Sequence, residues 1–422
     1  MQKRLRIKSE FSRNVLTLMT GTTIAQAIPI AISPILTRLY SPKDFGVLAL
    51  FVAITSIFGS IANGRYELAI MLPKKDEDAI NIAALGVLIV LCLSSVLLIV
   101  IVLFHDLILE LLGNEQISTW LYFVPLVVLL VGLYNVLNYY NNRLKNYKDL
   151  AQATIIKSIA SATIQLVLGF MKAGVSGLIS GQIISQFFAN MKLLKNITKD
   201  KALISKVSKI KIIALARRYK DFPKFTLWAG LLNTSSTQLT NILISSMFSI
   251  KTLGFYSLTQ RLLAMPSALI GSSIQQVLFQ EASSEKQRTG KINLAFFSAL
   301  KKLAIISFPF FLILYFIVED LFALFFGQEW RVAGTYAKIL IPLFTISFIV
   351  SPLTILNQVN RKNKLGMQWQ IGLLFLYMSI LYISNNFSLN FLITIKLISM
   401  IISSYYLFFL YLIYNHAKET NE

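Results

Sequence analysis

About a dozen apolar stretches, each about 20 residues long, are joined by connections whose Lys and Arg fall almost entirely on alternate loops. As a helix, a stretch of that length matches the hydrocarbon thickness of a bilayer and satisfies its own backbone hydrogen bonds where water is absent. The expected fold is therefore an all-α polytopic membrane protein of about twelve transmembrane helices. The spans read as 14–39, 45–72, 79–104, 117–139, 150–171, 175–194, 225–250, 255–279, 294–318, 332–357, 367–383 and 389–414.

Charge sets the orientation and the class of partner. Basic residues crowd the N-terminus (Lys3, Arg4, Arg6, Lys8, Arg13), Lys74 and Lys75, Arg143 to Lys148, the segment Lys192 to Lys224, Lys286 to Lys291, and Arg361 to Lys364. The opposite loops carry little beyond Arg38, Lys43, Lys172, Lys251 and Arg331, which places both termini in the cytoplasm. The basic flank of the first stretch resembles a signal peptide, but its length, the lack of a small-residue cleavage site and the following spans make it a retained helix. The outer loops, longest near His105 to Gln116 and Glu319 to Arg331, are too short for a folded domain. Only 14% of the 422 residues are charged, and Lys plus Arg outnumber Asp plus Glu 40 to 19, so anionic partners are expected, membrane lipids among them. No nucleic-acid partner is expected. Cys92 stands alone, His105 and His416 lie far apart, and no metal or other cofactor is implied.

A shift of about 208 positions lays Tyr40-Ser41-Pro42-Lys43-Asp44-Phe45-Gly46 over Phe248-Ser249-Ile250-Lys251-Thr252-Leu253-Gly254. The copies occupy the first outer loop of each half, six helices apart, which predicts a parallel internal repeat. The domains divide as an N-terminal lobe, 1–194, a basic cytoplasmic linker, 195–224, and a C-terminal lobe, 225–422. Within the linker, Leu203, Val207, Ile210 and Ala214 form an apolar stripe among lysines. It suits a helix on an anionic leaflet, although a positive-inside connection with incidental lipid contact is the preferred reading.

The opening helix of each half is polar: Thr22, Gln26, Ser33 and Thr37 in the first, and Asn233, Thr237 and Asn241 at four-residue spacing in the seventh. Such groups either bond between helices or line a wet cavity, and their recurrence in both halves favours Gln26, Ser33, Asn233, Thr237 and Asn241 as cavity lining. Ionisable residues within or capping spans are Arg38, Arg65, Glu67, Lys157, Arg261, Lys338 and Lys396. Arg38, Arg261, Lys338 and Lys396 lie in outer halves and Arg65 in an inner half, within snorkelling reach of water, while Lys157 is deeper. Together they predict a cationic cavity suited to phosphate or pyrophosphate. Glu67 is the only clear intramembrane carboxylate. It suits a local ion pair with Arg65, with proton coupling as the alternative.

Other chemistry is thin. Gly290-Lys291 lacks the rest of a phosphate-binding loop, and Asp76-Glu77-Asp78 reads as solvated charge rather than a metal-binding motif of a glycosyltransferase. No catalytic residues are assigned.

The segments Ser33-Pro34-Ile35-Leu36-Thr37-Arg38-Leu39-Tyr40-Ser41-Pro42-Lys43-Asp44-Phe45-Gly46 and Gly64-Arg65-Tyr66-Glu67-Leu68-Ala69-Ile70-Met71-Leu72-Pro73 resemble the N-terminal signature of Wzx-type polysaccharide biosynthesis proteins. These are repeat-unit flippases for O-antigen and capsule within the multidrug/oligosaccharidyl-lipid/polysaccharide exporter superfamily. The resemblance implies two six-helix lobes and alternating access. It also implies transfer of an undecaprenyl-pyrophosphate-linked oligosaccharide to the outer leaflet of the bacterial cytoplasmic membrane, alongside a polysaccharide polymerase and a chain-length regulator. Arg38, Arg65 and Glu67 match the motif; Lys157, Arg261, Lys338 and Lys396 rest on the charge argument alone. The alternatives are a cation-coupled small-molecule exporter of the same superfamily, a peptidoglycan-precursor flippase, which would usually carry further C-terminal helices, and a polytopic polysaccharide polymerase or ligase.

Overall fold

The computed structural model describes residues 2–198, 201–360 and 362–418; Arg361, one of the expected inner-loop cations, lies outside them. Among the described residues there are twelve helices of 20 residues or more and no strand. They are α1 (Gln2–Ala31), α2 (Pro42–Ile61), α3 (Asp76–Leu103), α4 (Val124–Arg143), α5 (Tyr147–Phe170) and α6 (Val175–Thr198). There follow α7 (Leu227–Met247), α8 (Ile250–Thr289), α9 (Asn293–Phe326), α10 (Arg331–Leu353), α11 (Asn363–Asn386) and α12 (Phe391–Lys418). Each overlaps one of the twelve expected spans, although the first of these, 14–39, is divided between α1 and a short helix, Ser33–Leu39.

Among the described residues, nine of the helices are apolar enough over 18 residues to cross a membrane by composition, and α6, α7 and α8 do not meet that measure. The polar groups of α6 are turned onto neighbours. Asn190 donates to the Leu130 carbonyl of α4 (2.8 Å), Asn196 to Asn141 and Asp149, and the α6 carbonyl of Leu178 accepts from Gln165 of α5 (3.2 Å). Such bonds let a helix of moderate hydropathy sit inside a bundle, where its polar side meets protein rather than lipid.

The chain divides into two compact units, Met1–Thr234 and Ser235–Glu422, with the boundary inside α7. In the first, α2 and α6 pack on α4, α3 on α4, and α5 on α6; in the second, α8 and α12 pack on α10, α9 on α10, and α11 on α12. Each of these four pairings recurs six helices later, as a parallel repeat requires.

The repeated outer-loop motif is a helix start. Ser41 accepts from the Asp44 amide while Asp44 accepts from the Ser41 amide, a reciprocal capping box on α2. Ser249 accepts from the Thr252 amide (3.0 Å) and caps α8 in the same way. The aromatic residue before each serine anchors the start of its unit's last helix: Tyr40 lies against Gly177 of α6, where a side chain would collide with its hydroxyl, and Phe248 packs edge-on to Phe391 of α12 (5.1 Å).

Three expectations need correction. The second span, read as continuous to Leu72, stops at Ile61, because Gly64 (φ +60°) and Arg65 (φ +64°) are both left-handed and break the helix; a short helix, Tyr66–Ala69, follows. The outer loop expected from Glu319 to Arg331 is mostly helix, since α9 runs to Phe326. The acidic run Asp76-Glu77-Asp78, read as solvated, begins α3 and is partly engaged: Arg143 of α4 pairs with Asp76 (2.8 Å) and also donates to the Ile70 carbonyl (3.2 Å), while Glu77 takes Lys211.

Candidate functional site: embedded cations of the two units

Depth along each helix separates the seven ionisable candidates. At 1.5 Å per residue, Lys157 stands about 15 Å from the start of α5 and Arg261 about 16 Å from the start of α8. Arg261 lies further into its helix than the sequence reading placed it, because α8 starts at Ile250 rather than at Phe255. Lys338 is about 10 Å into α10 and Lys396 about 7 Å into α12, both within reach of the interface. Arg38 is exposed in the last turn of the helix Ser33–Leu39.

Their partners differ as sharply. Lys338 is 3.7 Å from Glu319 of α9 and lies over the Tyr315 ring. Glu319 is therefore a carboxylate that the sequence reading did not count, and Lys338 has it as an ion-pair partner. Lys396 is exposed on the outer part of α12. Lys157 is half-buried with its ammonium 5.5 Å from the centre of the Tyr134 ring, and has no carboxylate partner among the described residues. Arg261 likewise has no ion pair among them. Its side chain is exposed.

The polar lining residues divide in the same manner. Ser158, next to Lys157, donates to the carbonyl of Ala25, next to Gln26 (2.7 Å), so Gln26 and Lys157 leave the α1–α5 seam at neighbouring positions. Gln26 is exposed there. Ser33 is buried and donates to the Ile30 carbonyl at the end of α1 (2.6 Å), a structural use of that hydroxyl. On α7, Asn233 and Thr237 are exposed on one face, and Asn241 below them donates to Gln238 while its carbonyl oxygen is buried without a partner.

Arg65 and Glu67 form a third group, outside the spanning helices. The Glu67 carboxylate is almost fully buried, 3.7 Å from the Arg65 guanidinium, with one oxygen unpartnered. Burial raises its carboxyl above the ordinary range, against the opposing pull of Arg65. The Arg65 guanidinium lies against Gly230 in the first turn of α7, where any β-carbon would overlap it. A left-handed arginine costs about 1–3 kcal/mol, and its place beside a buried carboxylate is where such strain is usually held. The sequence reading, which ran the span through Gly64-Arg65, showed neither this turn nor the partner at Gly230, 165 positions on.

A family model described as "Polysaccharide biosynthesis protein" matches residues 35–335. The chain belongs to that family. The membership agrees with the resemblance carried by residues 33–46 and 64–73. Among curated relatives, the teichuronic acid biosynthesis protein TuaB of Bacillus subtilis (strain 168) is 24% identical over 157 residues, 37% of this chain and 32% of its own length, so the match spans about a third of that relative. The fold is similar to that of solved membrane-protein structures. The lipid II flippase MurJ in an inward closed conformation superposes with a TM-score of 0.74 at 13% identity, covering 95% of this chain and 86% of that one. An inward-facing multidrug resistance MATE family transporter gives 0.60 at 11%, covering 94% and 95%. This member of the polysaccharide biosynthesis family is thus a multi-pass membrane protein in which, among the described residues, Lys157 and Arg261 have no ion pair.

Proposed function

We propose that the chain is a flippase that carries an undecaprenyl-pyrophosphate-linked oligosaccharide repeat unit from the inner to the outer leaflet of the bacterial cytoplasmic membrane, for O-antigen or capsule synthesis. The observation that carries this reading is the pair Lys157 and Arg261. A basic side chain at mid-bilayer costs about 2.5–3.5 kcal/mol on insertion scales, and among the described residues neither of these has a carboxylate partner to offset it. An anionic cargo headgroup supplies the missing counter-charge. Pyrophosphate fits the need, because Arg binds it through two parallel hydrogen bonds and Lys as a point charge.

In this reading the lobes are 1–194 and 225–422, joined by the linker 195–224, with both termini cytoplasmic. They rock to expose the site alternately to each side, so that the sugars pass along polar walls while the prenyl tail stays in lipid. Gln26, Asn233, Thr237 and Asn241 suit the sugars. No covalent chemistry is required, and a polymerase with its chain-length regulator would use the product. An inside-negative potential assists export of an anion by about 2.3 kcal/mol per charge per 100 mV. The buried Glu67 favours a second contribution, in which its protonation frees Arg65.

The test is protein-dependent flipping of a fluorescent prenyl-pyrophosphate oligosaccharide in liposomes under imposed potential or pH gradients. Loss of flipping in Lys157→Ala and Arg261→Ala, with the folded protein intact, supports the reading. Export of a small cationic solute down a cation gradient, with no glycan flipping, overturns it in favour of a drug antiporter. Glu67→Gln is expected to abolish any response to the pH gradient and to leave the response to potential.

A further inference from the structure

The linker helix Lys209–Arg218 has two unlike faces on opposite sides. One is docked. Leu215 is buried, and Ile212, Ala216, Tyr219 and Phe222 pack against a cluster that includes Ile80 and Ala83 of α3. Polar clamps hold the docking at several points: Asn81 of α3 accepts from the Ser208 amide at the helix start (2.8 Å) and donates to the Lys206 carbonyl, Tyr66 donates to the Ala216 carbonyl (3.0 Å), and Lys211 pairs with Glu77.

The other face is the apolar stripe visible in the sequence, and the first unit leaves it uncovered. Ile210, at its centre, is 80% exposed, with Val207, Ile213 and Ala214 exposed around it. The chain then turns through Phe222–Thr226 into α7, whose start presents Phe225 and Trp228, 61% and 60% exposed, with the Lys224 ammonium over the Phe225 ring (5.1 Å). Lys206, Lys209, Arg217, Arg218, Lys220 and Lys224 are all exposed along this stretch, against the single acid Asp221. Apolar residues flanked by cations and followed by an exposed tryptophan form the pattern of a helix lying in a charged lipid interface.

We infer that this face binds the anionic headgroup layer of the leaflet on the basic-loop side, so that the linker is fastened to the first unit by one face and to acidic lipid by the other. The partner follows from charge: a second copy would present the same cations to one another, whereas an acidic leaflet complements them. The inference does not depend on the cargo.

Its test places an environment-sensitive fluorophore on Ile210→Cys in a Cys92→Ser background, reconstituted in vesicles of phosphatidylcholine alone or of an equal mixture with phosphatidylglycerol. The expected result is several-fold stronger quenching by nitroxide-labelled lipid in the mixed vesicles, reversed by high salt and lost in the Lys206→Gln, Lys209→Gln, Lys220→Gln variant. Equal aqueous exposure of the probe in both vesicles overturns the inference. So does protection that rises with protein concentration in neutral lipid, which would mark contact between copies.

Discussion

The two units share four helix pairings and the same outer serine cap, yet they treat their opening helix and their charges differently. In the first, α1 lies along α5 so closely that a β-carbon on Gly21 would come within 2.5 Å of that of Ala151, and Ser158 bonds across the seam. In the second, the corresponding packing of α7 on α11 is slight among the described residues. Cations at the inner end of the first unit are paired, Arg143 with Asp76 and Lys192 with Asp149, as is Lys338 in the second. Among the described residues, Lys157 and Arg261 have no ion pair. A paired charge is part of the scaffold; an unpaired one in a membrane helix carries a cost that an anionic ligand would offset.

This contrast can be broken most decisively at the unpaired cations. Lys157→Met and Arg261→Met are each expected to lower glycan flipping by about tenfold or more, a loss of about 1.4 kcal/mol of transition-state stabilisation. Their melting temperatures should stay level or rise, because an uncompensated charge is removed. A fall in melting temperature with flipping retained would make them structural. At the opening helices, Gly21→Ala should destabilise the protein by about 1–3 kcal/mol through overpacking against Ala151, whereas Ala229→Leu, 208 positions on and exposed in α7, should be near neutral. Thermal melts of the two variants compare the seams directly, and equal destabilisation would remove the asymmetry.

Among paired charges, Arg143→Met should cost about 1–2 kcal/mol, since it strands the Ile70 carbonyl as well as the partly exposed Asp76, and should slow flipping only as far as folded protein is lost. The smallest change is expected at the Lys338–Glu319 pair: replacing both residues with Gln should alter flipping less than about twofold, as the pair adds little net charge. A large loss there would return Lys338 to the cargo path.

Local features were legible because they depend on neighbours in sequence. Ser41 and Ser249 reach backbone amides three residues on, and the spans follow from the length of each apolar run. Features set by distant partners were not. Nothing near Lys338 in the chain reveals that α9 extends far enough to bring Glu319 alongside it, and nothing near Gly64 reveals that Arg65 meets Gly230. In the linker, the stripe at Val207, Ile210 and Ala214 is plain in the sequence, but the docked face is the other one, through Leu215 and Tyr219, because α3 supplies its partner there.

The sequence by itself determined a basic, many-span, twofold-repeated membrane protein and the family to which it belongs, since hydrophobic length, loop charge and short motifs act locally. Which of its embedded cations are neutralised and which stand alone was decided only by the tertiary structure, because a charge at depth is offset or left costly by whatever helix packs beside it, and that neighbour lies far away in the chain.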